Sequence, residues 1–160
     1  MLMRFWTSAL IAAGTITGCV AAEPGSANAT TRRVIAVPAS AGRTVEVPVM
    51  VDPATIAPRG RHVVTPIGAP RGRYLLVLDS YASRAQGLSR CQAGQERWAR
   101  LIDMGRRREI YRRLVDSCLT DVEANDPPVR WNADGGVTLD LLSSAPVRLS
   151  IAADGTVTER

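Results

Sequence analysis

Apolar residues in this chain gather into short runs rich in Val, Leu and Ile, and most of the runs alternate with polar positions. The stretches RVIAVP within 32–38, RTVEVPVMV at 43–51, RYLLVLDSY at 73–81, GVTLDLL at 136–142, VRLSI at 147–151 and TVTER at 156–160 have the period and composition of strands. Prolines at 38, 48, 53, 58, 66 and 70 confine the early runs to sheet edges or short strands, because proline brings no N–H to a ladder. Ala-Asp-Gly occurs at 133–135 and again at 153–155, each time between strand-like flanks. Asp-Gly supplies the positive φ of a tight hairpin, so two hairpin turns are expected, and Asp134 and Asp154 are read as turn residues before calcium ligands.

Residues 95–123 admit two readings. Ile110, Tyr111, Leu114, Val115, Cys118, Leu119 and Val122 form a stripe at helical spacing. A fold about Met104-Gly105 instead sets Asp103 against Arg106, Arg100 against Glu109, Trp98 against Tyr111, Glu96 against Arg113 and Cys91 against Cys118. Those are partners a two-residue β-hairpin favours, and the one discord is Arg97 against Arg112. The strand-rich surroundings select the hairpin. The expected fold is mainly β: one small antiparallel domain over 32–160, a meander or a sandwich, stapled by one disulfide. The alternative is an α+β domain with a helix or helical hairpin over Gln95 to Glu123.

The chain opens differently. One positive charge, Arg4, precedes an apolar stretch from Phe5 to Ile16 and then small residues, the three parts of an export signal. About 12 apolar residues make a helix of roughly 18 Å, too short for a hydrocarbon core of ~30 Å. The order Ile16-Thr17-Gly18-Cys19 resembles the lipobox of bacterial lipoproteins, in which an aliphatic residue and two small ones precede the modified cysteine. The resemblance implies a signal peptide over 1–18 and a lipid on Cys19, the first residue of the mature chain. Val20 in the next position, where aspartate is absent, resembles lipoproteins sorted to the periplasmic face of an outer membrane. The alternative is cleavage after Val20-Ala21-Ala22, which leaves a soluble periplasmic protein. Residues 19–31 are small and polar without periodicity and read as a flexible tether, with a root-mean-square reach of about 20 Å.

With Cys19 committed to lipid, Cys91 and Cys118 remain as an even pair in an oxidising compartment, and a disulfide between them is expected. On the chain-entropy model it would stabilise the fold by roughly 3 to 4 kcal/mol. Loss of Phe5 and Trp6 with the signal leaves Trp98, Trp131, Tyr74, Tyr81 and Tyr111 as the large aromatics of the core.

All 20 basic residues are arginine. Residues 32–113 hold 16 Arg against 6 Asp and Glu, a net of +10, whereas 114–160 hold 3 against 8, a net of −5. Export argues against nucleic acid as the partner, so the imbalance points to internal pairing, an anionic surface or an acidic partner. Arg-Gly-Arg occurs twice, placing Arg59, Arg61, Arg71 and Arg73 in loops where their forks suit carboxylates or phosphates of a protein or anionic glycan.

Catalytic patterns are sparse. His62 is the one histidine, and a lone histidine does not build a zinc site, so no metal or cofactor is expected. Ser89 lacks the glycines of a nucleophile elbow, and a serine-lysine pair needs a lysine the chain does not have. Asp121, Glu123 and Asp126 offer acid-base chemistry on a glycan, though acids before Asp126-Pro127-Pro128 also suit a solvated loop. The expected function is a non-catalytic envelope lipoprotein that binds a periplasmic or outer-membrane partner, as an inhibitor, an immunity-like protein or an assembly accessory. A small hydrolase using acidic residues is the alternative. The octapeptide CQAGQERW, followed by LVDSCL, resembles uncharacterised exported bacterial proteins and adds no activity.

Overall fold

The computed structural model describes residues 30–39, 42–84, 94–120, 122–142 and 144–160. Ten strands follow in chain order: β1 (Thr31–Pro38), β2 (Thr44–Val51), β3 (His62–Pro66), β4 (Tyr74–Ala82), β5 (Gln95–Asp103), β6 (Arg108–Asp116), β7 (Ala124–Trp131), β8 (Val137–Leu141), β9 (Val147–Ile151) and β10 (Val157–Glu159). Every pairing is antiparallel, giving a β1-β2 hairpin and two four-stranded meanders, β3-β4-β5-β6 and β7-β8-β9-β10. The mainly β expectation holds, and the six runs read as strands lie in β1, β2, β4, β8, β9 and β10. β3 was not foreseen, being five residues that carry His62 and end on Pro66.

Alternation along β4 and β5 makes the first meander the middle of three layers. Leu75, Val77 and Tyr81 of β4, with Trp98 and Ile102 of β5, turn to one face and pack under Ile35, Val37, Val47, Val49 and Val51 of the hairpin. Leu76, Ala99 and Leu101 turn to the other and meet Val129, Val137, Leu139 and Leu149 of the second meander. A strand covered on both faces reads as a continuous apolar run, which is what Tyr74 to Leu78 is.

Residues 95–116 are a β-hairpin, so a helix over Gln95 to Glu123 does not form. The register differs from the one expected. Asp103 pairs with Arg108 across a four-residue loop, because the Asp103 carboxylate accepts a hydrogen bond from the Arg106 N–H (3.1 Å) and Arg107 takes φ 51°. Trp98 then faces Leu114, Ala99 faces Arg113, and Arg97 faces not Arg112 but Asp116, whose Oδ2 accepts from its Nε at 2.8 Å. The longer loop moves the like-charge pair and does not remove it: Arg112 now stands opposite Arg100, with Glu109 in ionic contact with both. Register shifts between Leu101 and Ile102, and between Arg97 and Trp98, bend β6 further.

Both Ala-Asp-Gly turns sit where expected, between β7 and β8 and between β9 and β10. Gly135 (φ 85°) and Gly155 (φ 95°) supply the left-handed residue, while Asp134 and Asp154 accept from the N–H two residues on at 2.9 and 2.8 Å. The Thr156 N–H, followed by its hydroxyl, holds the Asp154 carboxyl below the ordinary aspartate range. Cys19 and Cys91 lie outside the described residues. The expected Cys91–Cys118 bridge therefore also lies outside them, and Cys118 is placed just after β6 with its N–H donating to Glu96 Oε1 at 3.1 Å.

Candidate functional site

Two of the alternate positions of β5 that should complete the apolar layer under the hairpin are charged, and so is one on β4. Asp79, Glu96 and Arg100 are each fully buried. Burial of lone charges would cost several kcal/mol apiece, so each must be paired. Arg100 donates from Nε to Asp79 Oδ2 (2.6 Å), from Nη1 to the Met50 carbonyl (3.0 Å) and from Nη1 to Glu109 Oε1. Glu109 in turn accepts the Met50 N–H on its other oxygen (3.1 Å). The extra residue in β6 near Ile110 explains how it does so. Ile110 and Tyr111 both pack on the far core, and Glu109 is thereby turned onto the hairpin side, beside Arg100. An arginine and a glutamate thus stand in for a neighbouring strand at Met50, binding both backbone groups on the outer edge of β2.

The array reaches the surface at His62. Its Nε2 lies 2.7 Å from Asp79 Oδ1, and its ring stacks on Tyr81 with centroids 4.3 Å apart at 11°. Tyr81 meets Trp98 edge-on at 5.5 Å, and the Arg33 guanidinium lies 5.8 Å over the Tyr81 ring. Burial, and after it the negative charge of Asp79, pushes the Tyr81 hydroxyl well above the ordinary tyrosine range. Next to this stack, Glu96 accepts from Ser83 Oγ (2.6 Å) and the Cys118 N–H, while its second oxygen has no hydrogen-bond partner among the described residues. His62 is therefore more than the isolated histidine of the sequence. The signal that could have found its partner is parity: Leu75, Val77, Asp79 and Tyr81 share a face, and only one of them is charged.

The four arginines of the two Arg-Gly-Arg segments do not form one patch. The Arg61 carbonyl accepts from the Ala82 N–H (2.9 Å), whereas Arg71 exchanges backbone hydrogen bonds with Tyr74 (2.9 and 3.0 Å). The length of β4, roughly 27 Å at ~3.4 Å per residue, separates them. At the Tyr74 end the side chains are engaged. Arg73 Nε is 3.3 Å from the buried Asp103, Arg73 Nη2 donates to the Ala153 carbonyl (3.2 Å), and Arg71 lies 5.9 Å over the Trp131 ring. At the Ala82 end, where β1 enters, Arg59 and Arg61 are exposed and, among the described residues, neither they nor Arg32 and Arg33 have a carboxylate within 4.0 Å. Arg61 lines a shallow cleft of about 160 Å³ with Val63, Ser80, Ala82 and Gln95.

Part of the sequence-wide charge imbalance is met internally. Arg97 bonds Asp116, Arg113 bonds Glu159 (2.8 Å), and Arg106 donates to the Asp154 carbonyl (3.0 Å), each joining the basic part of the chain to the acidic part. Of the acids considered for catalysis, Glu123 and Asp126 are exposed at the start of β7, and Asp121 lies outside the described residues, as does Ser89. Among the described residues no group of three or more His, Cys, Asp or Glu side chains could hold a metal ion. The chain matches no protein-family model, and neither a curated protein nor a solved structure is found similar to it.

Proposed function

We propose that this chain is a lipid-anchored envelope protein that binds an anionic partner, a protein or a glycan, without catalysing a reaction. It is held by Cys19 at the periplasmic face of the outer membrane, with 19–31 as its tether and a Cys91–Cys118 disulfide closing the segment between β4 and the end of β6. The observation that carries the reading is the contrast among its arginines. Those at the Tyr74 end are spent on carboxylates, carbonyls and a tryptophan face, whereas at the end where β1 enters Arg32, Arg59 and Arg61 are exposed with no carboxylate within 4.0 Å among the described residues, and Arg33 lies over the Tyr81 ring. Unpaired, exposed guanidinium groups cost solubility nothing and offer bidentate contacts to carboxylate or phosphate. Glu123 and Asp126, exposed beside a strand edge, give no comparable support to a hydrolase.

Three measurements test the parts separately. Cys19→Ala should move the protein from the membrane to the soluble periplasmic fraction, and unchanged fractionation would remove the anchor from the proposal. Non-reducing peptide mapping of the exported protein should join Cys91 to Cys118. Pull-down from the envelope with Arg59→Gln/Arg61→Gln should lose partners that Arg71→Gln retains, with the loss growing as salt is lowered. Equal retention by both variants at every salt concentration would put recognition elsewhere.

A further inference from the structure

We infer that the hairpin side of the chain-entry end is a docking surface for anionic lipid headgroups, on which Arg32, Arg59, Arg61 and Arg84 lean the domain against the membrane that anchors it. The inference rests on the lipid anchor and on arginines free for an anionic partner, and it names lipid phosphate as the group those arginines meet.

The fold gathers the four arginines at one place. Thr31, where the chain enters, pairs with Val51, and the loop that leaves Val51 folds over the end of β4. There the Arg84 N–H bonds the Thr55 carbonyl (2.8 Å), the Ala57 N–H bonds the Ala82 carbonyl (2.8 Å), and the Ala82 N–H bonds the Arg61 carbonyl (2.9 Å). Ile56 of that loop is buried in the core shared with the β1-β2 hairpin, so the loop lies on the hairpin side of the middle sheet. Arg32, Arg59, Arg61 and Arg84 are exposed, and among the described residues no carboxylate lies within 4.0 Å of any of them.

The acids of this end are spent or face elsewhere. Asp52 is half-buried and accepts the Ala54 N–H at 2.8 Å. Glu46, the exposed acid of the hairpin, stands opposite Ala36, which is ~14 Å along β1 from Arg32. Glu123 and Asp126 are exposed at the start of β7, in the meander that covers the other face of the middle sheet. Basic and acidic groups at the chain-entry end therefore sit on opposite sides of one sheet, and a negative surface would meet the hairpin side.

The choice of occupant follows from where the chain comes in. Residues 20–30 separate Cys19 from Thr31, a connection of about 42 Å when fully extended and about 20 Å on average. A lipid on Cys19 keeps the arginine end near the leaflet and presents its headgroups at high effective concentration before a free partner arrives. Guanidinium forks bind phosphate bidentately, and each basic residue near an anionic membrane surface strengthens attachment about fivefold. The anchor supplies insertion, and the arginines supply orientation.

The test is co-sedimentation with vesicles of the mature chain begun at Val20, which holds every strand and both cores without the lipid. Vesicles of phosphatidylcholine alone are compared with vesicles that also contain phosphatidylglycerol. Binding to the anionic vesicles alone is expected, and it should weaken as added salt shortens the screening length. Arg59→Gln/Arg61→Gln should weaken it about tenfold or more at an unchanged melting temperature. Arg107→Gln/Arg108→Gln, which removes two exposed arginines from the opposite end of the middle sheet, should weaken it about twofold or less. No binding to either vesicle, equal binding to both, or equal loss from the two double variants would each overturn the inference. If vesicles fail and the envelope pull-down still loses a protein or glycan with Arg59→Gln/Arg61→Gln, lipid is excluded as the partner and the anionic-partner reading stands.

Discussion

The same three letters, Arg-Gly-Arg, stand at both ends of β3, and the two copies are built on different physics. Gly72 occupies the first central position of the two-residue turn between Arg71 and Tyr74 at φ 57°, with no atom within 4 Å of where a side chain would begin. It is there for its backbone freedom. Gly60 has no unusual φ, yet a Cβ at that position would lie 2.4 Å from the Ala82 Cβ and 3.0 Å from that of Ala57. It is there for closeness, letting 57–61 fold against the end of β4. The flanking arginines differ accordingly. A turn that projects into the neighbouring sheet gives Arg71 and Arg73 partners, and a loop pressed flat on its own sheet leaves Arg59 and Arg61 in water. Identical short sequences acquire opposite electrostatic fates from what lies next to them.

Arg100 is the limiting case of a spent arginine, and its loss should have the largest effect. Arg100→Gln keeps a polar group but removes the charge between Asp79 and Glu109, leaving one fully buried carboxylate and one nearly so without their cation. Breaking a buried pair from one side typically costs about 3 to 5 kcal/mol. Urea unfolding should register a loss of that size, and a loss below about 1 kcal/mol would mean the array is solvated and contributes little.

The two glycines come next and separate the two causes. Gly60→Ala should destabilise by about 1 to 3 kcal/mol through overpacking, and Ala82→Gly in the same chain should recover much of it, because the clash is with the Ala82 methyl. Gly72→Ala should cost about 1 to 2 kcal/mol through its left-handed backbone, and no neighbouring substitution should rescue it. Rescue of both, or of neither, would abolish the distinction drawn between the two copies.

How far the sequence could anticipate this depends on the range of the interaction. Strand runs, the two Ala-Asp-Gly turns and the β5-β6 hairpin are legible because alternation and glycine chemistry act within a few residues. The hairpin register is not, since a single Asx contact from Asp103 to Arg106 lengthens the loop and moves every pair along it. The buried array is legible only in part. Asp79 breaks the apolar parity of β4, but its partners Arg100 and Glu109 come from strands that the chain brings alongside, and Glu109 faces inward only because of a bulge. Arg59 and Arg73 look alike in sequence, and nothing local records that Ala153 waits beside one of them.

The smallest effect sharpens the comparison most directly. Arg73→Gln removes the Nε contact to Asp103, a fully buried carboxylate whose Oδ2, among the described residues, has no hydrogen-bond partner and otherwise only Arg106 at 3.9 Å, and it also cuts the link to the Ala153 carbonyl. The Arg73 side chain is itself 38 % exposed, so solvent screening holds the expected cost to about 1 kcal/mol. Arg61→Gln removes a guanidinium with no ionic partner among the described residues, and stability should stay within about 0.5 kcal/mol of the parent. Raising salt should narrow the gap between the two variants, since screening weakens the half-exposed Arg73 contact in the parent and has little to act on at Arg61. If the two substitutions prove equally costly in urea at low salt, then the arginines at the two ends are used alike, and the unpaired charge at the chain-entry end loses its claim to mark a binding surface.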